Sequence, residues 1–473
     1  MSSRSFVASL ALVLAATLVW AAPAAATSFA KGAIIIPMDN TYQGKGILKA
    51  YGLLYQLLLK DVPVHWVIKV KKKVTDADFK VAATDLNTSA AIPPHGYRGG
   101  PFVIQVAHAA KAKTIIKAWQ VKNKVTVHLA AAGFIGRTGR LLTAAPSIAV
   151  IADKNGHVAF KYRNAAGIPD RVGSAWPAKK DKTGKYTGYA DVHGISAIAG
   201  PTTTSHKDGA LFRPSGSPAY CQVMTMHWGV KEVVKEVIEE YRAFLQFPTH
   251  MFAECQAVNA VENMGLFLTT KGFDIDNKLS GKYAFLNSDT PFAQMDGGFK
   301  VLNGSEKAYT LKAGSKFWDA DIVMIKDATT AAAVRTVWMT GYYQGKCKIR
   351  EGASVCANPV GKISYLGGHE YKTAVPISKE VGTQGTRLFL NSLFEASCAS
   401  EEGQPHLIVS LTGPAWTTTG LATYTVQVIN AGHGPALDAQ FSYPLPTGAK
   451  FVSASTGGKL AGGKVIWKAK DLN

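Results

Sequence analysis

The stretch Thr249–Met264, THMFAECQAVNAVENM, decides how the chain is read. Apolar and aromatic residues run up to Glu254, Cys255 follows, and a helix-compatible run begins at once. This is the pattern of a strand that turns sharply into a helix at a cysteine. Such an elbow needs small residues two before and two after the turn, because they pack against each other, and Ala253 and Ala257 occupy those places. The following helix aims its N-terminus at the sulfur, which favours the thiolate. A cysteine nucleophile also needs a base. His369 is the candidate, at the end of a predicted strand Val360–Leu366 and after Gly367 and Gly368. Glu370 and Glu254 are the two carboxylates placed to orient its imidazole. Gln256, Asp39 and Glu254 are the remaining pocket candidates, Asp39 because it closes the first predicted strand.

Toward the N-terminus, Gly32–Asp39 (GAIIIPMD) is a continuous apolar run, as expected of a strand buried on both faces in a parallel sheet. Ile47–Leu59 has helical periodicity, with Ile47, Leu48, Tyr51, Leu54, Leu57 and Leu58 on one face. Val62–Ile68 is a second strand, completing a βαβ opening with a right-handed crossover. Further strands are predicted at Phe102–Val106, Val125–Ala130 and Ser147–Ala152, with a helix over Lys111–Val121. His65 reads as a core histidine within its strand. The turn Arg98–Pro101 presents backbone N–H groups to an anion. From Asn155 to Ser217 Gly, Lys, Pro, Ser and Thr dominate, which predicts an irregular insertion. Tyr220–Trp228 is a strand, and Val230–Gln246 is an amphipathic helix ended by Pro248. A helix over Thr386–Ala396 closes this part of the chain.

The 473 residues exceed one ordinary core, so two or three domains are expected. Arg4, the apolar run Phe6–Trp20 and the small residues Ala24 and Ala26 have the layout of a secretory signal over residues 1–26, and no other run is long and apolar enough to cross a bilayer. The mature chain is then exported, to the cell surface or beyond. The net charge of +20 is spread along the chain, with one dense run at Lys69, Lys71, Lys72 and Lys73. Aromatics do not interleave with that run, so a basic surface adhering to anionic polymers is expected rather than specific nucleic-acid recognition. Disulfides are permitted in this compartment. Cys347 and Cys356 flank a short hairpin and are expected to bridge, closing a loop worth roughly 2–3 kcal/mol. Cys221 and Cys398 are placed to staple distant parts of one domain, which leaves Cys255 as the free thiol. The Cys and His spacings fit no zinc site, and neither a metal nor another cofactor is expected.

With Cys255 on its elbow and His369–Glu370 after a late strand, residues 27–400 resemble the class I glutamine amidotransferase-like superfamily. The resemblance implies an α/β fold with a flavodoxin-like, mostly parallel sheet, a nucleophilic Cys255 and a His369–Glu370 pair. The elbow reads Ala253-Glu254-Cys255-Gln256-Ala257 where the superfamily has GxCxG, and His369 and Glu370 are adjacent where it has His-x-Glu. From Pro405 the pattern becomes short alternating strands. Tyr424-Thr425-Val426, Leu445-Pro446-Thr447-Gly448 and Val465-Ile466-Trp467 resemble the immunoglobulin-like conserved repeat domain of bacterial surface proteins. That implies a small all-β sandwich over 405–473, cut short at Asn473. Two functions follow as expectations. One is an exported protein with a degenerate amidotransferase-like domain that binds an extracellular ligand or surface polymer. The other is a Cys-dependent hydrolase of an extracellular amide or ester, using Cys255 and His369.

Overall fold

The structure, a computed structural model, describes residues 26–152, 155–177, 189–229, 233–320, 322–327, 335–350, 353–356, 358–401, 405, 407–413, 420–430 and 436–472. The expected signal peptide lies outside the described residues, apart from Ala26.

Ile34, Ile35 and Ile36 set the layering. All three are fully buried, as the apolar run requires, but their strand has antiparallel neighbours on both sides. The first sheet comprises β1 (Ala26–Phe29), β2 (Ile34–Ile36), β3 (Val64–Val67), β4 (Ala77–Asp85), β5 (Ala91–Arg98), β6 (Phe102–Ile104), β7 (His128–Ala130) and β8 (Phe134–Leu142). Its order is β1-β8-β3-β6-β2-β7-β4-β5, every pairing is antiparallel, and it forms a half-barrel. Ile34 and Ile36 face the main core. Ile35 faces a second cluster with Phe29, Val67, Phe79, Tyr97, Val103 and Phe134. Helix α1 (Asn40–Gln43) and helix α2 (Ile47–Leu58) follow β2, and the buried face of α2 packs on the main core.

The expected flavodoxin-like, mostly parallel sheet is therefore not formed. The crossover through α2 does make β2 and β3 run the same way, since each pairs antiparallel with β6. The later strand β6 inserts between them and converts a parallel unit into an antiparallel one. An apolar run reports burial on both faces. It carries no information on the direction of the neighbouring strand.

A second sheet is mixed. It contains β9 (Ile148–Ile151), β10 (Val192–His193), β11 (Gln222–Thr225), β12 (His250–Glu254), β13 (Phe273–Ile275), β14 (Tyr283–Leu286), β15 (Tyr309–Leu311), β16 (Val323–Asp327) and β17 (Arg335–Tyr342). A hairpin of β18 (Cys347–Arg350) and β19 (Ala353–Cys356) precedes its last strand, β20 (Lys362–Leu366). The strands β10-β9-β11-β12-β20 run parallel; β17, β15, β13, β14 and β16 continue the sheet antiparallel. Around the sheets lie α3 (Val106–Gln120), α4 (His157–Ala166), α5 (Ile195–Ala199), α6 (Lys235–Phe244), α7 (Gln256–Gly265) and α8 (Gln384–Leu393). Helix α4 falls inside the stretch expected to be irregular. Its Val158, Phe160, Tyr162 and Arg163 are buried, and the Arg163 guanidinium stacks 3.7 Å over the Trp176 ring.

One apolar cluster runs from Ile34 to Phe394 and joins both sheets. The return of the chain after α8 closes them together. Arg140 Nη1 donates to Ala396 O and Ser400 Oγ, and Thr143 N donates to Ala399 O. Cys221 and Cys398 stand at disulfide distance there, with Cα atoms 5.7 Å apart, and Cys347 and Cys356 do so across their hairpin at 4.5 Å. Both are the pairs expected from the sequence. Lys362 and Glu395 form a buried ion pair beside this seam.

Beyond residue 405 the described residues form two small antiparallel sheets. One pairs β21 (Leu407–Thr412) with β22 (Thr425–Asn430); the other orders β23 (Ala436–Pro444), β25 (Lys464–Leu472) and β24 (Lys459–Ala461) as β23-β25-β24. Asn430 Nδ2 donates to Leu472 O across the two at 3.0 Å. No helix among the described residues is long and apolar enough to cross a membrane.

Candidate functional site

Cys255 is the residue between β12 and α7, with φ 54° and ψ −128°. A non-glycine residue pays about 1–3 kcal/mol to hold such a backbone, so the surroundings must over-determine it. They do. Cys255 N donates to Leu366 O at 2.9 Å, tying the elbow to β20, and the Tyr309 hydroxyl donates to Cys255 O at 2.7 Å. Ala253 and Ala257 are both fully buried on either side. At the far end of α7, Glu262 is fully buried rather than turned to solvent. Its carboxylate accepts from the N–H groups of Phe267, Leu268 and Thr269 and from the Thr269 and Tyr365 hydroxyls. The helix is thus fixed at both ends.

The imidazole of His369 comes from the loop after β20. Its Nδ1 stands 3.3 Å from Glu254 Oε1, and Glu254 is fully buried. The same Oε1 accepts from the Tyr162 hydroxyl at 3.3 Å, and that hydroxyl in turn accepts from Tyr371 N at 2.7 Å. Burial and the Glu254 charge push the Tyr162 phenol well above its ordinary range, so it remains a donor. The ring of His227, from just beyond β11, lies 5.1 Å from that of His369. Glu370 does not orient His369. Its φ of 51° turns the side chain outward, where its carboxylate lies 3.8 Å from His157 Nε2. The carboxylate that meets His369 is Glu254, the residue that precedes Cys255.

A strap, Gly304–Glu306, crosses directly over the sulfur. A Cβ added at Gly304, whose φ is +121°, would stand 2.9 Å from Cys255 Sγ and 3.0 Å from His369 Cβ. Gly304 thus packs against both the sulfur of Cys255 and the Cβ of His369. Ser305 Oγ lies 3.8 Å from Sγ. Asn277 clasps the strap from outside: its Nδ2 donates to Ser305 O at 2.6 Å and its Oδ1 accepts from Lys307 N at 2.7 Å. From inside, Gly368 N donates to Glu306 O at 2.8 Å. Cys255 is consequently 0% exposed. Burial pushes its thiol up, against the opposing pull of the Glu306 N–H, the Ser305 hydroxyl and the Gln256 N–H. The Glu306 carboxyl is buried too, with Oε2 lacking a hydrogen-bond partner among the described residues, and burial raises it to about 8.

Of the sequence candidates, the structure brings Cys255, Glu254, His369 and the N–H of Gln256 together. Asp39 belongs to the other sheet, where it caps α1 through Thr41 N and Tyr42 N and faces His95 Nε2 at 3.1 Å. His65 Nδ1 is satisfied by Thr138 Oγ1 at 2.9 Å. The Gly99-Gly100 turn does hold an anion, the chain's own Asp78, to which Gly100 N donates at 2.9 Å. Sequence reasoning missed Tyr162, His227 and the strap. Among the described residues no group of three or more His, Cys, Asp or Glu is arranged to hold a metal ion. No protein-family model matches the chain, and no curated protein or solved structure matches it either.

Proposed function

We propose that the chain is an exported cysteine-dependent hydrolase of an amide or ester. The observation that carries this reading is the strained elbow at Cys255, with Gly304 packed against both Cys255 and His369, and Glu254 on Nδ1 of that imidazole. A carboxylate on Nδ1 holds the proton there and leaves Nε2 as the base, the role a nucleophilic thiol needs filled. Nε2 takes the thiol proton as sulfur attacks the substrate carbonyl carbon. The N–H of Gln256, first in α7, points at the thiol and favours the thiolate as it forms. The imidazolium then protonates the departing amine or alcohol, and water, deprotonated by the same nitrogen, releases the acid from the thioester. The strap must move aside before a carbonyl can reach the sulfur.

That occlusion favours a second reading, a binding or structural protein in which the elbow is only a fold element. Alkylation by iodoacetamide at neutral pH separates the two. A hydrolase labels at Cys255 faster than a free model thiol, and both Cys255→Ser and His369→Ala abolish the fast phase. If Cys255 in the intact protein labels no faster than the model thiol, the hydrolase reading fails and the binding reading stands.

A further inference from the structure

The dense lysine run has no part in the cysteine site, yet Lys71, Lys72 and Lys73 line a cavity of about 730 Å³. That volume is typical of a small-molecule site. The segment is locked in place. Lys72 points inward, its Nζ 2.7 Å from Asp78 Oδ1 and 3.1 Å from Gln294 Oε1. Lys69 N donates to Asp78 Oδ1, and Lys71 N donates to Asp289 Oδ2, both at 2.9 Å. Lys71 and Lys73, both exposed, line the cavity. The opposite wall is the end of β14 and the loop after it, with Phe285 half-buried and Leu286 38% exposed. Each wall holds one non-glycine residue in the left-handed region, Lys71 and Asn287, both at φ 52°. Strain of that kind collects where a surface is kept in shape for a ligand. The lining carboxylate, Asp289, is buried and already accepts from Lys71 N, and Lys73 is in no ion pair among the described residues.

We propose that this cavity binds an anionic amphiphile, a single carboxylate or sulfonate carried on an apolar body. The ammonium group of Lys73 meets the anion at the rim, and Phe285, Leu286 and Ile349 cover the apolar part. The test uses the full mature chain and 8-anilinonaphthalene-1-sulfonate, whose fluorescence rises on entering an apolar site. The dye is expected to bind and to be displaced by decanoate below its micelle concentration, but not by decyltrimethylammonium. Lys73→Glu and Leu286→Ser should each weaken dye binding by roughly tenfold, whereas Lys122→Glu, on an exposed surface elsewhere, leaves it unchanged. All three positions are exposed, so circular dichroism should report the same fold throughout. The proposal is overturned if Lys73→Glu and Lys122→Glu bind the dye equally well, or if the cationic amphiphile displaces it as effectively as decanoate.

Discussion

Replacing Gly304 by alanine tests the strap most directly. Its φ of +121° is a region that side chains rarely adopt, and forcing one there costs about 1–3 kcal/mol. The new methyl would sit 2.9 Å from Cys255 Sγ, 3.0 Å from His369 Cβ and 3.2 Å from Gly368 C. Overpacking on that scale adds about 1–3 kcal/mol, since one of the three contacts is backbone and cannot rotate away. Held in place, the variant is therefore destabilised by about 2–6 kcal/mol. The alternative is to eject the strap. The two Asn277 bonds and the Gly368–Glu306 bond would be lost, at about 1 kcal/mol each. Release is the cheaper route over most of that range, so it caps the loss near 3 kcal/mol and uncovers the thiol. Two assays on one sample read this out: urea unfolding for stability, and iodoacetamide labelling of Cys255 under native conditions. The expected result is a loss of about 2–3 kcal/mol together with labelling at least several-fold faster than wild type. Asn277→Ala, which unclasps the strap without any clash, should speed labelling at a smaller cost, about 1–2 kcal/mol. A Gly304→Ala protein within about 0.5 kcal/mol of wild type, with Cys255 no more reactive, would refute the argument.

Two further outcomes follow from buried charge. Glu306 has its folded-state proton affinity raised to about 8 by burial, so the folded state prefers the protonated carboxyl. Its contribution to stability is intact below the ordinary glutamate range and is lost as pH rises from there toward 8. Glu306→Gln should remove that loss, so the variant gains on wild type by up to about 1.4 kcal/mol per pH unit across this window. Urea midpoints at pH 5 and pH 8 that shift in parallel for the two proteins would contradict it. Lys362 and Glu395 pair in the core, with Lys362 2% and Glu395 0% exposed. Lys362→Ala strands the carboxylate and should cost about 3–5 kcal/mol, while the double change Lys362→Met with Glu395→Leu recovers most of it, by thermal unfolding.

The elbow was legible because its requirements are local: a strand pattern, small neighbours at Ala253 and Ala257, and a helix pattern beginning at Gln256. The orienting carboxylate was only half legible. Glu254 and Glu370 are equally close to the site in sequence terms, and the left-handed backbone at Glu370 that turns it outward carries no signal in a glutamate. The sheet direction was misread for a different reason. The strands that make the first sheet antiparallel are the ones whose patterns are broken. Strand β5 contains Pro93 and Pro94, tolerated because it is an edge strand with both prolines exposed, and β8 contains Gly136 and Gly139. Tyr162 was lost with its helix, because Lys161, Arg163 and Asn164 around it read as solvated. Stacking on Trp176 is what lets Arg163 enter the core, and that partner lies too far along the chain for periodicity to report it.

The seam that joins the two sheets has a consequence for how the molecule comes into being. Arg140, beside the end of β8, waits for Ala396, 256 residues later in synthesis. Through that interval the nascent chain carries a nearly finished half-barrel with an unsealed margin, and the parallel strands flanking Cys255 lack β20 until Lys362 emerges. Contacts of such long sequence separation slow folding and prolong exposure of sticky surface. The cysteine site is thus among the last parts of the molecule to be assembled. Any chemistry it performs is withheld until nearly the whole of residues 26–401 has left the ribosome.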